Sequence, residues 1–294
     1  MKLRTIIACL FLYSVHSASA IISVGGPTTE WVEIIYPGVQ SDYLTDQQTG
    51  IYEFDIVGSA DGSHPGIYTQ FDNGGDDLSR TDGELAFRFR VGGNKNPAYF
   101  EGLAWVGMDV NGDGVLDLFA GVENPKAATW TISIHDAGTG ANISPSTTSI
   151  STTPEFSYNS IAGTFDWAPV TSTNDPSATN FDLDGGGETD YFISFKLPFA
   201  DLVSAINTLV PGTDFDDTKA IAYVAATSTQ GNSLNADLNG VEAGRDSTTT
   251  WEILGALSPE LTADGTPIPE PATYAVLLGL SALILTGRRR LCRD

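Results

Sequence analysis

Asp109-Val110-Asn111-Gly112-Asp113-Gly114-Val115-Leu116-Asp117 carries side-chain oxygens at its first, third, fifth and ninth positions, with glycine at the sixth. That spacing lets a tight loop turn Asp109, Asn111, Asp113 and Asp117 toward one point, where the Val115 carbonyl adds another oxygen. Hard oxygen donors at this density select Ca2+. An EF-hand needs an acid at the twelfth position, which here is Ala120, and the flanks 104–108 and 116–120 read as strands rather than helices. Asp182-Leu183-Asp184-Gly185-Gly186-Gly187-Glu188-Thr189-Asp190 repeats the first, third and ninth positions. Gly186 stands where Asp113 does, and Glu188 is placed to fill the gap. A metal-free Asp/Gly turn is the alternative at both loops. Asn235, Asp237 and Asn239 form a third cluster without a ninth ligand, which reads as a plain loop.

The elements that must hold these loops are strands. Leu85, Phe87, Phe89 and Val91 alternate with Ala86, Arg88 and Arg90, a half-buried strand of period two. The same alternation recurs at 129–134 and 191–199. Further strands are expected at Tyr52–Val57, Leu103–Met108, Leu116–Val122, Ile221–Ala226 and Trp251–Leu254, separated by Gly, Asn, Asp, Ser and Pro clusters. After Pro198, Phe199, Leu202, Val203, Ile206, Leu209 and Val210 recur at helical spacing until Pro211-Gly212. The pattern predicts an antiparallel, jelly-roll-like β-sandwich over 21–257 with one short helix. The Ser/Thr/Asn-rich stretch 144–180 reads as long surface loops or a weak edge, and 258–268 as a flexible tether.

The two ends read as addresses. Lys2 and Arg4 precede an apolar run from Ile6 to Val15, and Ala18-Ser19-Ala20 is an A-x-A cleavage site, so 1–20 reads as a signal peptide removed by signal peptidase. At the other end, Pro269-Glu270-Pro271 is followed by an apolar run over 272–287 and by Arg288-Arg289-Arg290. The run is short for a span of about 17–25 residues. Tyr274 at one interface and snorkelling arginines at the other make it a transmembrane helix, with its basic end cytoplasmic. This tripartite tail over 269–294 resembles the PEP-CTERM sorting signal of Gram-negative bacteria. The resemblance implies recognition by an exosortase near Pro269-Glu270-Pro271, transient anchoring in the inner membrane, removal of the helix, and delivery to the cell surface or outside. It covers only the tail. The 109–117 loop, on its side, resembles the calcium hairpin of FG-GAP repeats, which implies the ligands Asp109, Asn111, Asp113 and Asp117 but no propeller.

Processing at both ends would discard Cys9 and Cys292, leaving no disulfide, thiolate site or cysteine nucleophile. Between Ile21 and Pro271 stand 36 acidic and 8 basic residues. Such a surface repels a polyanion, so nucleic acid is not an expected partner. Divalent cations and exopolysaccharide are. His64 and His135 lie beside turn residues and read as solvated, and neither H-E-x-x-H nor G-x-S-x-G occurs. Glu53-Phe54-Asp55-Ile56-Val57-Gly58 resembles the start of the E-x-D-x-x-E strand of jelly-roll glucanases, but Gly58 replaces the second glutamate. Among Trp31, Trp105, Trp130, Trp167 and Trp251, candidates for stacking on sugar, Trp167 reads as the exposed one. The expected function is an exported structural or adhesive protein stabilised by calcium, leaning away from catalysis. The alternatives are a calcium-dependent polysaccharide-binding module, a glycoside hydrolase or lyase, and an ice-binding protein.

Overall fold

Alternating apolar positions give this chain two antiparallel sheets. The structure is a computed structural model and describes residues 21–36, 42, 47–59, 61–75, 79–123, 129–159, 162–241 and 249–268. The expected signal peptide with Ala18 and Ala20, and the sorting tail with Pro269, Glu270, Pro271, Arg288, Arg289 and Arg290, lie outside these residues. Among the described residues no helix is long and apolar enough to cross a membrane.

The strands are β1 (Val32–Glu33), β2 (Ile67–Asp72), β3 (Glu84–Val91), β4 (Leu103–Asp109), β5 (Leu118–Glu123), β6 (Thr131–Ala137), β7 (Ile150–Asn159), β8 (Phe165–Pro169), β9 (Tyr191–Pro198), β10 (Ala222–Ser228) and β11 (Asp237–Leu238). One sheet runs β1-β2-β3-β9-β8 and the other β11-β10-β4-β5-β6-β7. Period-two alternation points one set of side chains from each sheet into a shared core. Leu85, Phe87, Phe89, Ile193, Phe195 and Leu197 come from the first sheet, and Val106, Met108, Leu118, Val122, Ile132 and Ile134 from the second. This arrangement is consistent with the expected β-sandwich. Helix α1 (Phe199–Leu209) adds Phe199, Leu202 and Ile206 to the same core.

The outer faces are covered as well. Ala86, Arg88 and Arg90 were expected on a half-exposed face, yet all three are buried. Residues 22–31 lie across that face, with Arg88 Nη2 donating to the Val24 carbonyl at 2.7 Å and Lys196 Nζ to the Ile22 carbonyl at 3.0 Å. Arg88 is also flanked by the Trp31 and Phe192 rings at 4.3 and 4.8 Å. A separate cluster of Leu103, Trp105, Phe119, Val224, Leu238 and Trp251 covers the outer face of the second sheet.

Several expectations are corrected. Trp251–Leu254 is helical (α2), not a strand. Thr250 caps it by accepting from the Ile253 N–H, and Gly255 closes it at φ 73°. Tyr52–Phe54 is a 3-10 turn, and only Ile56 bridges to a strand residue, Val91. Of the two readings of 144–180, loops or a weak edge, the structure takes the edge: the stretch contains β7 and β8, each the last strand of its sheet. Residues 258–268 are docked, not a free tether. Leu261 bridges to Ile221 and Pro267, and Leu261 and Ala263 are buried.

Candidate metal centre

Loop 109–117 connects β4 to β5, and loop 182–190 leads into β9. They share one turn geometry. Gly114 N–H donates to Asp109 Oδ2 at 2.8 Å, Asp113 N–H to Asn111 Oδ1 at 3.0 Å, and Val110 N–H to Asp117 Oδ2 at 2.9 Å. At the equivalent positions Gly187 N–H donates to Asp182 Oδ2 at 3.0 Å, Gly186 N–H to Asp184 Oδ1 at 2.9 Å, and Leu183 N–H to Asp190 Oδ2 at 3.2 Å. Gly112 and Gly114 have φ of 74° and 78°, and Gly185 and Gly187 have 68° and 86°. These left-handed conformations fold each loop tightly enough for its first aspartate to reach its sixth amide.

The loops differ in what their carboxylates lack. Both Asp109 oxygens accept backbone N–H groups, from Asn111, Gly112 and Gly114. Asp117 accepts from Val110 N–H and from Asn111 Nδ2. Asp109, Asp113 and Asp117 are not gathered as a group. Asp182, Asp184 and Asp190 are, each with an oxygen within 4.8 Å of the others, and among the described residues they form the only such group of three acidic, histidine or cysteine side chains. Glu188 stands outside it. Asp182 Oδ1 and Asp184 Oδ2 are buried and meet no N–H or hydroxyl donor of the fold, so the two carboxyls have only each other as neighbours for a shared proton. The second loop thus gathers three carboxylates where the first does not, a difference that the spacing alone does not report.

Burial shapes the second site. Asp184 is only 8% exposed. Its carboxylate lies over Gly92, where a Cβ would meet Oδ2 at 2.5 Å. Burial, together with the nearby Asp182 carboxylate, pushes its carboxyl up to about 6, against the Gly186 N–H that favours the charged form. Asp190 is pushed up to about 6 by burial, although Arg90 opposes the shift. In the first loop, burial and then Asp109 and Asp113 raise Asp117 to about 6, against the Val110 N–H. Buried carboxylates with orphaned oxygens are short of positive charge, and hard oxygen donors of this kind fit a divalent cation. The Asp182, Asp184 and Asp190 triad could hold a metal ion.

Arg90 was absent from the expected site. Its guanidinium donates to Asp190 Oδ2 through Nε at 2.7 Å, to Asp175 Oδ2 through Nη1 at 3.1 Å and to the Asn180 carbonyl through Nη2 at 3.1 Å. Asp175 in turn lies 3.3 Å from His64 Nδ1 and accepts from Thr28 Oγ1. His64 is therefore part of a buried network and not a solvated turn residue. One signal was available in the sequence. Arg88 and Arg90 take consecutive outward positions on one strand of a chain that is poor in basic residues.

The other candidates are placed differently from expectation. Trp167 packs against Phe100 and Tyr191, with ring centroids at 5.6 and 4.5 Å, and its indole donates to the Asn96 carbonyl. It is half-buried and not the exposed tryptophan. His135 lies within β6 and is buried. Asp237 and Asn239 are buried beside β10, and Asp237 Oδ2 accepts the Ile56 N–H at 2.7 Å. No protein-family model, curated protein or solved structure matches the chain.

Proposed function

We propose that the chain is an exported, non-catalytic protein of the cell surface or extracellular matrix, whose β domain is stabilised by calcium at Asp182, Asp184 and Asp190. The observation that carries the metal is the pair of buried carboxylate oxygens, Asp182 Oδ1 and Asp184 Oδ2, that no N–H or hydroxyl of the fold satisfies. A divalent ion would supply the missing charge and hold the 182–190 loop against β3. Calcium is the choice because all three donors are carboxylates, and because Ca2+ accepts irregular oxygen geometry where Mg2+ demands near-octahedral coordination. Arg90 contributes one fixed positive charge, so the ion has less charge to neutralise than three free aspartates would present.

The address rests on the ends of the sequence. Signal peptidase would release Ile21, and an exosortase would act near Pro269-Glu270-Pro271 after transient anchoring in the inner membrane. The finer architecture is read as a jelly-roll-like sandwich, in that the chain changes sheet between β3 and β4, between β7 and β8, and again across α1. The test is a thermal melt of residues 21–268 with calcium and with chelator. Binding to the native state alone contributes about 2.7 kcal/mol at a hundredfold excess over the dissociation constant. Asp184→Ala is expected to abolish the calcium response, and Asp113→Ala to retain it. A melting temperature indifferent to calcium would remove the metal from this reading.

A further inference from the structure

The N-terminal segment is anchored one residue after Ile21. Ile22 and Val24 are buried, whereas Ile21 is 83% exposed. Lys196 Nζ donates to the Ile22 carbonyl at 3.0 Å and to Glu84 Oε2 at 2.8 Å. The Gly26 N–H then donates to the Ser23 carbonyl at 2.9 Å and turns the chain. Ile21 and Gly25 share one cavity of about 530 Å3 with Asp166 and Lys196.

Asp166 is the one carboxylate that lines this cavity. It stands half-buried on the edge strand β8, opposite Ser194. Among the described residues no N–H or hydroxyl donates to it. Arg88 attracts it without touching it, and Arg88 Nη1 makes no hydrogen bond. Lys196 is already engaged by Glu84 and the Ile22 carbonyl. A Cβ on Gly25 would lie 3.5 Å from Asp166 Oδ2, so the carboxylate is packed against the backbone of the N-terminal segment. Burial raises its carboxyl above the ordinary value, although Arg88 opposes the shift. A carboxylate so placed gains from a further cation.

We propose that Asp166 receives the α-ammonium group created at Ile21 when the signal peptide is removed, and that this ion pair latches the N-terminal segment onto the five-stranded sheet. The inference rests on the cleavage after Ala20 that belongs to the proposed function. In that hydrolysis, water adds its hydroxyl to the Ala20 carbonyl carbon and a hydrogen to the Ile21 nitrogen. At neutral pH the new acid loses a proton and the new amine gains one. A neutral amide with one N–H thereby becomes a cation with three. The charged groups around the cavity are Asp166, Lys196, Arg88, Glu84 and Glu30, and two cations against three carboxylates leave one negative charge for the ammonium to neutralise. Ile22 is already fixed, so ordering the ammonium adds the entropy cost of about one residue. A divalent metal ion would find a single carboxylate here, too few oxygen donors to hold it.

The test is an NMR titration of the α-amine in the processed chain, Ile21–Asp294, made in detergent with no residue before Ile21. Pairing should raise the amine by about half a unit or more above its ordinary range of about 7.7–8.0. Asp166→Asn, and a chain that keeps Ala20, are each expected to return it to that range. The second leaves every side chain of the fold in place, so it decides the matter even if Asp166→Asn disturbs β8. A raised amine stabilises the fold fully below its ordinary value, and the contribution is lost as pH rises through the raised one. At pH 7 the chain beginning at Ile21 should therefore melt higher than the chain that keeps Ala20, and Asp166→Asn should close the gap. An amine in the ordinary range in the Ile21 chain, or one that Asp166→Asn does not move, overturns the latch. A start other than Ile21 in protein exported by its host overturns the proposal through its premise and leaves the titration as it is, which tells the two failures apart.

Discussion

Arg90 Nε lies 2.7 Å from Asp190 Oδ2, and neither side chain is exposed to solvent. Arg90 comes from the centre of the first sheet, and Asp190 closes the loop that gathers the aspartate triad. The pair joins the candidate metal centre to the sandwich. Through Asp175 and Thr28, the same guanidinium also reaches the N-terminal segment.

Breaking this pair leaves a buried charge without its partner. Arg90→Met is expected to destabilise the domain by about 3–5 kcal/mol, the usual result of removing one side of a buried ion pair. Arg90→Lys keeps the charge but loses the planar fork, and should fall between Met and wild type. Urea unfolding midpoints check both. A midpoint for Arg90→Met within error of wild type would show that Asp190 needs no counter-charge.

The pH dependence of stability has a definite sign. Asp117, Asp184 and Asp190 are each pushed up to about 6 in the fold, above the ordinary aspartate value of 3.8. The folded state therefore holds protons more tightly than the unfolded chain, so these groups favour folding most at acidic pH. That contribution is lost as pH rises from near 4 through about 6. In chelator, the melting temperature should fall across this window. Calcium should restore it at pH 7, and Asp184→Asn should flatten the fall. A chelated melt that instead rises between pH 4 and 6 would contradict the assignment.

Gly121 pairs with Trp105 across β4 and β5, and a Cβ at Gly121 would lie 2.2 Å from Trp105 Cε3. Gly121→Val must displace Trp105 or open the β4–β5 pair, and overpacking of this kind costs about 1–3 kcal/mol. The near-ultraviolet circular dichroism of the tryptophans should change with it. Gly163, where a Cβ would meet nothing within 4 Å, serves as a control at its own φ of 81°. Gly163→Asn should leave that spectrum unaltered.

Processing is checked by intact mass. Protein recovered from the surface or medium of its native host is expected to begin at Ile21 and end near Pro269–Pro271. A surface-located form that still carries Arg288–Arg290 would rule out exosortase cleavage.

The sequence by itself determined the repeating elements and the types of donor atom. Period-two alternation at 85–91, 129–134 and 191–197 marked strands, and helical spacing after Pro198 marked α1, because local burial imposes those periods on the residues themselves. The Asp/Gly spacing of both loops was equally legible, since the turn is made by neighbours in the chain. Tertiary structure decided which carboxylates are left in need. Asp109 is satisfied by its own loop, whereas Asp184 is buried over Gly92 and Asp190 is met by Arg90 from another strand. It also decided that Arg88, Arg90 and His135 are buried and that 258–268 is docked, because distant segments cover faces that look polar in isolation. Burial of this kind depends on contacts between residues far apart in the chain, and a local pattern carries no record of them.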